Sequence, residues 1–318
     1  MKTTFIDGLS NFPAVAPQST VVTIGTFDGI HRGHQAIFTR VKEVAETEQL
    51  DPVLVTFHPH PRALVTPGDV PMLLTTVEEK KLFLPCFFGG RVLVMAFNDH
   101  VRNLSADEFV KTVLIGKLGV RKLVVGYDHA LGKNRSGNAE ELQRLGKQLG
   151  FDVEVVGPVI CNDAPISSSR VRKALTFGKY EFAVDLLGHD YAIYGTVERG
   201  IGLGRKVGYP TANLKYSSRK LLPPEGVYAC WMLLGEERVK GMMFVGQNHF
   251  NPEARLTVEA NLFDFDRDIY GREVVVYPTH YLRAPVAFKS KEELVAHLEK
   301  DKKNVLEIQS KGEQRECQ

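Results

Sequence analysis

The order of apolar and polar positions along the chain divides it into two halves with different periods. From residue 20 to about residue 187, short runs rich in β-branched residues alternate with amphipathic segments of helical period. This alternation is typical of an α/β domain with a parallel sheet and helical crossovers. It predicts strands at residues 21–26, 52–57, 91–97, 122–126 and 152–156, and helices that include residues 33–48, 105–117 and 138–149.

The second half has a shorter period. From residue 191 to about residue 283, alternating runs are separated by Gly and Pro, which is typical of a small antiparallel barrel. The pattern predicts strands at residues 191–197, 226–233, 239–245, 256–263 and 273–282, and then a helix over residues 290–300. The tail from Ser310 has little apolar surface, so we predict no ordered element there. We place the boundary between the halves near residues 188–190.

Composition narrows the classes of function. The 318 residues are 43% hydrophobic and 25% charged, as in a folded globular protein, and the length favours two domains. The formal net charge is +2, so no overall basic field favours nucleic acid or an anionic membrane, and any anion site has to be local. The four cysteines are far apart in sequence, and no apolar leader-like region follows the first residues. We therefore predict a cytoplasmic protein.

A glycine-rich turn with two histidines follows the first predicted strand. Gly25 and Gly29 can adopt backbone angles that other residues disfavour, and Gly33 allows a ligand to approach the first helical turn. His31 and His34 are three residues apart, so their rings share one face if a helix begins near His31. Free helix amides and two imidazoles at the carboxyl edge of a parallel sheet favour a phosphate site. The alternative is that both histidines only cap the helix or cover its surface.

A serine-rich helix start lies about 130 residues further on. Ser168 and Ser169 are followed by Arg172, whose guanidinium could bind phosphate oxygens beside the hydroxyls. Such a segment is often only a helix cap. The sequence contains neither a P-loop nor a G-x-G-x-x-G fingerprint, which disfavours a P-loop kinase and a Rossmann dehydrogenase.

The second half has its own candidate site. A glycine-rich stretch over residues 195–208 suits a mobile loop around a polyphosphate, although a flexible hairpin is a common alternative. Pro210 fixes the backbone before Thr211 and Asn213, whose oxygens point the same way if the segment is extended. Hydroxyl and amide oxygens suit Mg²⁺. Glu259 lies in a predicted strand and could also be an ordinary outward-facing residue.

These motifs, together with residues 56–62 (TFHPHPR), 126–128 (GYD) and 222–228 (LPPEGVY), resemble the prokaryotic bifunctional riboflavin kinase/FMN adenylyltransferases, the FAD synthetases. The resemblance covers about residues 21–301. It implies a Rossmann-like nucleotidyltransferase domain at residues 1–187, and a six-stranded riboflavin kinase barrel with a closing helix at residues 188–318. It also implies two reactions. The second domain would phosphorylate riboflavin to FMN with ATP, and the first would adenylylate FMN to FAD and release pyrophosphate, each with Mg²⁺.

The resemblance implies roles for individual residues. The implied catalytic residues are Glu259, His31, His34 and Arg172. The implied ATP and phosphate contacts are Gly25, Asp28, Gly33, Ser168, Ser169, Gly202, Gly204 and Arg205. The implied flavin contacts are Phe57, Pro59, Asp128 and Arg283, and the implied Mg²⁺ ligands are Thr211 and Asn213. The implied partners are small molecules (riboflavin, FMN and ATP), with no nucleic acid and no membrane.

Two other functions stay open at this point. The chain departs from the usual family pattern at residues 129–131, at residues 245–252 and at Ala260-Asn261. One alternative is therefore an adenylyltransferase with a silenced kinase domain. The other is a flavin-binding carrier or regulator without turnover. Sequence does not specify the oligomeric state.

Overall fold

The computed structural model describes residues 2–133, 136–200, 202–247 and 256–311. The chain packs as two compact units. The first contains the residues up to 72 and residues 80–168, and the second contains residues 73–79 and the residues from 169 onward. Residues 73–79 therefore belong to the unit that holds most of the second half. The functional boundary after Leu187 stays a prediction, and each unit is described by itself.

The strands of the first unit are β1 (Thr4–Asp7), β2 (Thr20–Ile24), β3 (Asp51–His58), β4 (Arg91–Ala96), β5 (Val120–Gly126), β6 (Ala130–Leu131), β7 (Gly137–Asn138), β8 (Asp152–Val156), β9 (Ile160–Cys161) and β10 (Ala164–Pro165). Six of them form a parallel sheet in the order β1-β4-β3-β2-β5-β8. β6 pairs with β7 and β9 with β10 in short antiparallel ladders. All five predicted strands are present, and the predicted parallel α/β architecture is confirmed.

The α-helices that begin before residue 168 are α1 (Arg32–Glu48), α2 (Arg62–Val65), α3 (Val77–Phe87), α4 (Asp99–Asn103), α5 (Ala106–Phe109) and α6 (Ala139–Leu149). Short 3₁₀ turns occur at Leu9–Asn11 and Pro67–Asp69. The predicted helix over residues 105–117 starts with a capping box between Ser105 and Glu108, and continues after α5 as a π-helical segment over Val110–Ile115.

Burial on both faces explains why the sequences of the sheet strands are nearly continuous apolar runs. All five residues of β2 are buried, and so are the middle residues of β3 and β4. A parallel sheet with covered faces excludes water from both sides, so alternation is lost. The strand order reverses between β2 and β5, which are neighbours although the chain leaves β2 toward β3. Ligands of open α/β sheets bind outside the carboxyl ends of strands at such a switch point.

The second unit contains a closed antiparallel barrel. Its elements, with the helices before and after it, are α7 (Ser168–Thr176), α8 (Tyr180–Leu187), β11 (Ile193–Glu198), α9 (Leu203–Lys206), β12 (Ala212–Tyr216), β13 (Gly226–Leu234), β14 (Glu237–Gly246), β15 (Thr257–Leu262), β16 (Glu273–Arg283) and α10 (Lys291–Lys311). The barrel order is β11-β12-β15-β14-β13-β16. This confirms the six-stranded barrel. The apolar pattern alone had predicted five strands and missed β12.

The closing helix α10 is longer than its predicted range of residues 290–300. Asp301 lies on it, and the side chain of this residue accepts two hydrogen bonds from the guanidinium of Arg283 on β16, at 2.6 and 3.0 Å to Oδ2. Val305 is buried in a cluster with barrel residues, and Gln309 donates to the carbonyl of Cys230 at 3.0 Å. These contacts fix α10 to the barrel. The tail without an ordered element was predicted from Ser310, but α10 extends through Lys311, and the Ser310 hydroxyl donates to the carbonyl of Glu307 at 2.9 Å. The rest of the predicted tail lies outside the described residues.

Candidate active sites

The turn after β2 lies at the switch point of the parallel sheet and has an unusual backbone. Phe27 and Ile30 both have a φ of 45°, and Gly29 has a φ of 87°. Positive φ is costly for a β-branched residue such as Ile30, and strain of this kind concentrates at functional sites. Both strained side chains are buried, so packing holds the turn. The predicted strand 21–26 therefore ends at Ile24, because the chain bends sharply there.

The two predicted histidines come together at the start of α1. His31 is the N-cap residue, and its carbonyl accepts hydrogen bonds from the amides of His34 at 2.7 Å and Gln35 at 3.0 Å. The imidazoles of His31 and His34 stack with their ring centroids 3.6 Å apart. The side chain of the N-cap residue His31 makes no capping hydrogen bond, and the positive end of the helix dipole favours an anion at this turn. Sequence reasoning predicted this shared face.

The surroundings of His34 favour its neutral form. Burial lowers its pKa well below the usual value, and the positive charges of protonated His31 and of Lys80 lower it further. Its Nδ1 is buried and has no hydrogen-bond partner among the described residues. A buried polar atom without a partner carries a desolvation cost, which a bound ligand can relieve.

Lys80 is a residue of this site that sequence reasoning missed. It lies on α3, is buried, and its Nζ donates to the carbonyl of Thr26 at 2.5 Å and to Oγ1 of Thr56 at 3.2 Å. Burial lowers the pKa of Lys80 to about 8, against the opposing effect of Asp28. In the sequence Lys80 is only part of a lysine pair at 80–81, in a segment for which no helix was predicted. The structure forms α3 there, with Pro85 inside the helix.

The other predicted phosphate contacts are on two segments. Gly25 donates its amide to the carbonyl of Val55 at 3.0 Å, and Asp28 is buried in the same turn. A Cβ at Gly33 would lie 3.1 Å from Nδ1 of His31, so this position has little room for a side chain. Ser168, the first residue of α7, donates its hydroxyl to the carbonyl of Asp28 at 2.9 Å.

Ser169 and Arg172 lie three residues apart in the first two turns of α7, in the part of that helix that belongs to the second unit. Residues at this spacing are neighbours on a helix surface. The predicted juxtaposition of the serine hydroxyl and the guanidinium is consistent with this geometry, and their role toward phosphate stays a prediction.

The predicted flavin contacts of the first unit lie at the carboxyl ends of strands. Phe57 is half-buried near the end of β3 and makes an edge-to-face contact with Phe97 at 5.6 Å between ring centroids. Pro59 follows in a cis peptide bond with His58. Asp128 is exposed two residues after the end of β5. Their role toward flavin is not tested by these contacts.

The predicted kinase residues meet on two neighbouring strands of the barrel. Asn213 of β12 is directly opposite Glu259 of β15 in the antiparallel ladder. Thr211, one residue before β12, donates its hydroxyl to Oε2 of Glu259 at 3.0 Å. The three side chains are half-buried, so their oxygens gather at one corner of the barrel while remaining open to a ligand.

A buried residue behind this corner fixes the chain that carries it. Asn261 of β15 is only 7% exposed, and its Nδ2 donates to the carbonyl of Pro210 at 2.7 Å. The bond connects β15, the strand that carries Glu259, to the residue just before Thr211. Asn261 was recognised in the sequence only as a departure from the family pattern. Of the departure at residues 245–252, Val245 and Gly246 end β14, and residues 248–252 lie outside the described residues.

The predicted glycine-rich loop has close approaches that explain some of its glycines. A Cβ at Gly200 would lie 2.3 Å from Nδ2 of Asn213, and one at Gly204 would lie 2.2 Å from the carbonyl oxygen of Tyr209. Gly202 has a φ of 75° and is the N-cap of α9. Arg205 is exposed within α9. The loop therefore passes directly over the Thr211–Asn213 segment.

Arg283, the predicted flavin contact of the second unit, has its guanidinium engaged by Asp301 of α10 as described above. Its role toward flavin stays a prediction. Among the described residues, no group of three His, Cys, Asp or Glu side chains could hold a metal ion. In the same part of the chain, no helix is both long and apolar enough to cross a membrane.

Comparison with known proteins identifies both halves. The FAD synthetase family matches residues 14–170, and the riboflavin kinase family matches residues 187–309. The bifunctional riboflavin kinase/FMN adenylyltransferase of Escherichia coli K12 is 34% identical over 297 residues, which cover 93% of this chain and 95% of that protein. The protein of the same name from Pseudomonas fluorescens is 36% identical over 286 residues, covering 88% and 90%.

A solved structure has the same fold along nearly the whole chain. The crystal structure described as a macrolide-efflux protein from Streptococcus pneumoniae superposes with a TM-score of 0.84 at 30% identity, covering 96% of this chain and 99% of that one. The two matched families account for both reactions of FAD synthesis, riboflavin phosphorylation and FMN adenylylation. The chain belongs to the bifunctional riboflavin kinase/FMN adenylyltransferase family.

Proposed function

We propose that each of the two sites performs one step of FAD synthesis with the residues described above, and that each uses Mg²⁺ with ATP. The observation that supports this division most strongly is chemical. The turn after β2 gathers two imidazoles, the ammonium of Lys80 and the N-terminal end of α1 beside the carboxylate of Asp28, whereas the barrel corner combines a carboxylate with a neutral hydroxyl and a neutral amide.

Adenylyl transfer suits the first site because its nucleophile is already an anion. A phosphate oxygen of FMN attacks the α-phosphorus of ATP, the bond from that phosphorus to the bridging oxygen breaks, and pyrophosphate leaves with the electron pair. No proton has to be removed, so positioning and neutralisation of charge supply the rate enhancement. In this proposal the N-terminal amides of α1 and the stacked His31 and His34 bind the polyphosphate, and Ser168 contacts its oxygens.

Phosphoryl transfer suits the second site because its nucleophile is a neutral alcohol. The 5′-hydroxyl of riboflavin attacks the γ-phosphorus of ATP, ADP leaves, and the hydroxyl proton must go to a base. Glu259 is the proposed base. It already accepts a hydrogen bond from the hydroxyl of Thr211 at 3.0 Å, which shows that its carboxylate can accept from an alcohol in this position.

The donor set of the barrel corner fits Mg²⁺. The hydroxyl of Thr211 and the amide oxygen of Asn213 are neutral hard ligands, and the ion prefers few protein oxygens together with water and phosphate oxygens. In this proposal these two residues hold the ion. When bound, Mg²⁺ would neutralise charge on the phosphates of ATP.

Two variants of the full chain test the division of labour. Glu259→Gln keeps an oxygen that can accept from Thr211 but removes the base. We expect it to lose formation of FMN from riboflavin while it still converts added FMN to FAD. The double variant His31→Ala/His34→Ala should behave in the opposite way. FMN, FAD, ADP and pyrophosphate are quantified after incubation with ATP and Mg²⁺. A folded single-site variant that loses both activities would contradict the two-site assignment.

The same assay distinguishes the proposed function from the two other candidate functions. If the wild-type chain forms FAD from FMN but no FMN from riboflavin, the kinase domain is silenced. If it binds flavin and releases neither ADP nor pyrophosphate, it is a carrier.

A further inference from the structure

Lys80 is a buried cation at the first site to which the reaction described above assigns no role. It is 7% exposed. Its Nζ bonds two oxygens, the carbonyl of Thr26 at 2.5 Å and Oγ1 of Thr56 at 3.2 Å. Thr26 belongs to the strained turn after β2, and Thr56 lies near the carboxyl end of the adjacent β3. The ammonium therefore connects the turn after β2 to the carboxyl end of β3, on the β3 side of the switch point.

The charges around Lys80 also belong to the site. Asp28 attracts its ammonium, and the ammonium in turn disfavours protonation of His34. Burying an ammonium costs free energy, and the two oxygen acceptors and Asp28 offset that cost only in part, since burial still lowers the pKa of Lys80 to about 8. A partly compensated buried cation is a favourable neighbour for a polyanion, because it is already desolvated and fixed in place.

We propose that Lys80 is a positioning residue for adenylyl transfer. Its ammonium holds the carbonyl of Thr26, and so the turn that presents the two histidines, and it supplies fixed positive charge toward the polyphosphate of ATP. This inference rests on the proposed binding of polyphosphate at that turn. As the bond between the α-phosphorus and its bridging oxygen breaks, negative charge grows on the pyrophosphate, and a fixed cation stabilises that change most.

The first test compares two neighbouring lysines of α3 in the full chain. Lys80→Met removes the buried ammonium and keeps the length of the side chain. Lys81→Met is the matched control, because Lys81 is 42% exposed and its Nζ lies 3.4 Å from a carboxylate oxygen of Asp7. We expect Lys80→Met to lower kcat/KM for FAD formation from FMN by about 10- to 100-fold, below the effect of removing a direct donor. Lys81→Met should stay within about twofold of wild type. Riboflavin phosphorylation should be unchanged in both, which shows that the second unit is folded, and a thermal unfolding curve that matches wild type shows that the first unit is folded as well.

The second test needs no variant and separates a charge effect from a purely structural one. Binding of a polyanion should raise the pKa of Lys80, so the protein takes up a proton. The heat of binding of α,β-methylene-ATP with Mg²⁺ is measured in buffers of different ionisation enthalpy, at pH 6.5 and pH 8.5. With a pKa of about 8, roughly three-quarters of Lys80 is neutral at pH 8.5 and almost none at pH 6.5. Uptake should therefore rise with pH, whereas uptake by His34, whose pKa is lowered by burial, would fall.

The outcomes are distinct. FAD formation by Lys80→Met within twofold of Lys81→Met overturns the inference, and so does a wild-type protein that takes up no additional proton at pH 8.5. If Lys80→Met fails to fold and loses both activities, the proton uptake of the wild type decides. The double variant His31→Ala/His34→Ala tests the proposed function separately. If that variant forms FAD normally, the polyphosphate does not bind at this turn. If it forms no FAD while Lys80→Met remains active, only the role of Lys80 is refuted.

Discussion

The buried ion pair of the second unit gives a sharp prediction about stability. The carboxylate of Glu79 and the ammonium of Lys220 are 2.7 Å apart, with side-chain exposures of 0% and 1%. Lys220 also donates to the carbonyl of Leu74 at 2.7 Å and lies 4.0 Å from the ring centre of Tyr191. Glu79 accepts from the amides of Thr76 and Tyr194, so these bonds fasten residues 73–79 to the unit.

Lys220→Met would leave the Glu79 carboxylate buried without its cation. Breaking a buried pair from one side costs about 3 to 5 kcal/mol. With a urea m-value of about 2 kcal/mol/M, the unfolding midpoint of this unit should fall by about 2 M. Trp231, the only tryptophan of the chain, lies in β13, so its fluorescence reports unfolding of this unit. Lys215→Met is the matched control, because Lys215 pairs with Glu198 at an exposed position, 70% and 52% exposed, and exposed pairs contribute little.

The pH dependence supplies a second check. Burial raises the pKa of Glu79 although Lys220 opposes the rise, and loss of Lys220 removes that opposition. A carboxyl with a raised folded-state pKa destabilises the fold above that pKa, and the effect disappears as pH falls toward the unfolded value of about 4.3. The deficit of Lys220→Met should therefore shrink between pH 7 and pH 5. Equal midpoints for Lys220→Met and Lys215→Met at pH 7 would refute the reasoning.

Three smaller substitutions probe the two sites separately. Asn261→Leu leaves the carbonyl of Pro210 without its hydrogen bond, which lowers the free energy of unfolding by about 1 to 3 kcal/mol. It should raise the KM for ATP in riboflavin phosphorylation, and FAD formation from added FMN should be unchanged. Gly200→Ala would place a Cβ 2.3 Å from the side chain of Asn213, so ADP release with riboflavin should fall by at least about tenfold, and an unchanged rate would show that the loop can move away. Gly33→Ala, with a Cβ 3.1 Å from the neighbouring imidazole, should slow pyrophosphate release with FMN without changing the melting temperature.

The parallel sheet was predictable because its strands are short apolar runs between amphipathic helices, and every predicted strand of the first unit is present. β12 was missed for a physical reason. It has only five residues and follows directly on the Pro-Thr segment, and its alternation contributes only Ala212 and Leu214 as aliphatic side chains, so the pattern is too short to stand out from a loop. Its identity as a strand is specified by its neighbours in the closed barrel, and closure of a barrel is a property of the whole sheet.

The sites show the same contrast between local and long-range information. The shared face of His31 and His34 follows from their spacing and a helix start, so sequence could predict it. Lys80 could not be found in this way, because its role depends on two strand ends that are 24 and 54 residues away in sequence. The division of the chain into units has the same origin, since residues 73–79 pack with a region that begins at residue 169.

The two sites differ as their nucleophiles require. A phosphate nucleophile arrives deprotonated, so adenylyl transfer needs no base, and the turn after β2 places His31, His34 and the ammonium of Lys80 near the start of α1, with Asp28 beside Lys80. An alcohol nucleophile has to lose a proton, so the barrel corner places Glu259 where it already accepts from the hydroxyl of Thr211. Glu259→Gln is therefore the decisive test of the proposed base, because the amide oxygen preserves that hydrogen bond while the proposed proton acceptor is lost. If phosphorylation survived it, the carboxylate would serve to orient Thr211, and the base would have to be another group.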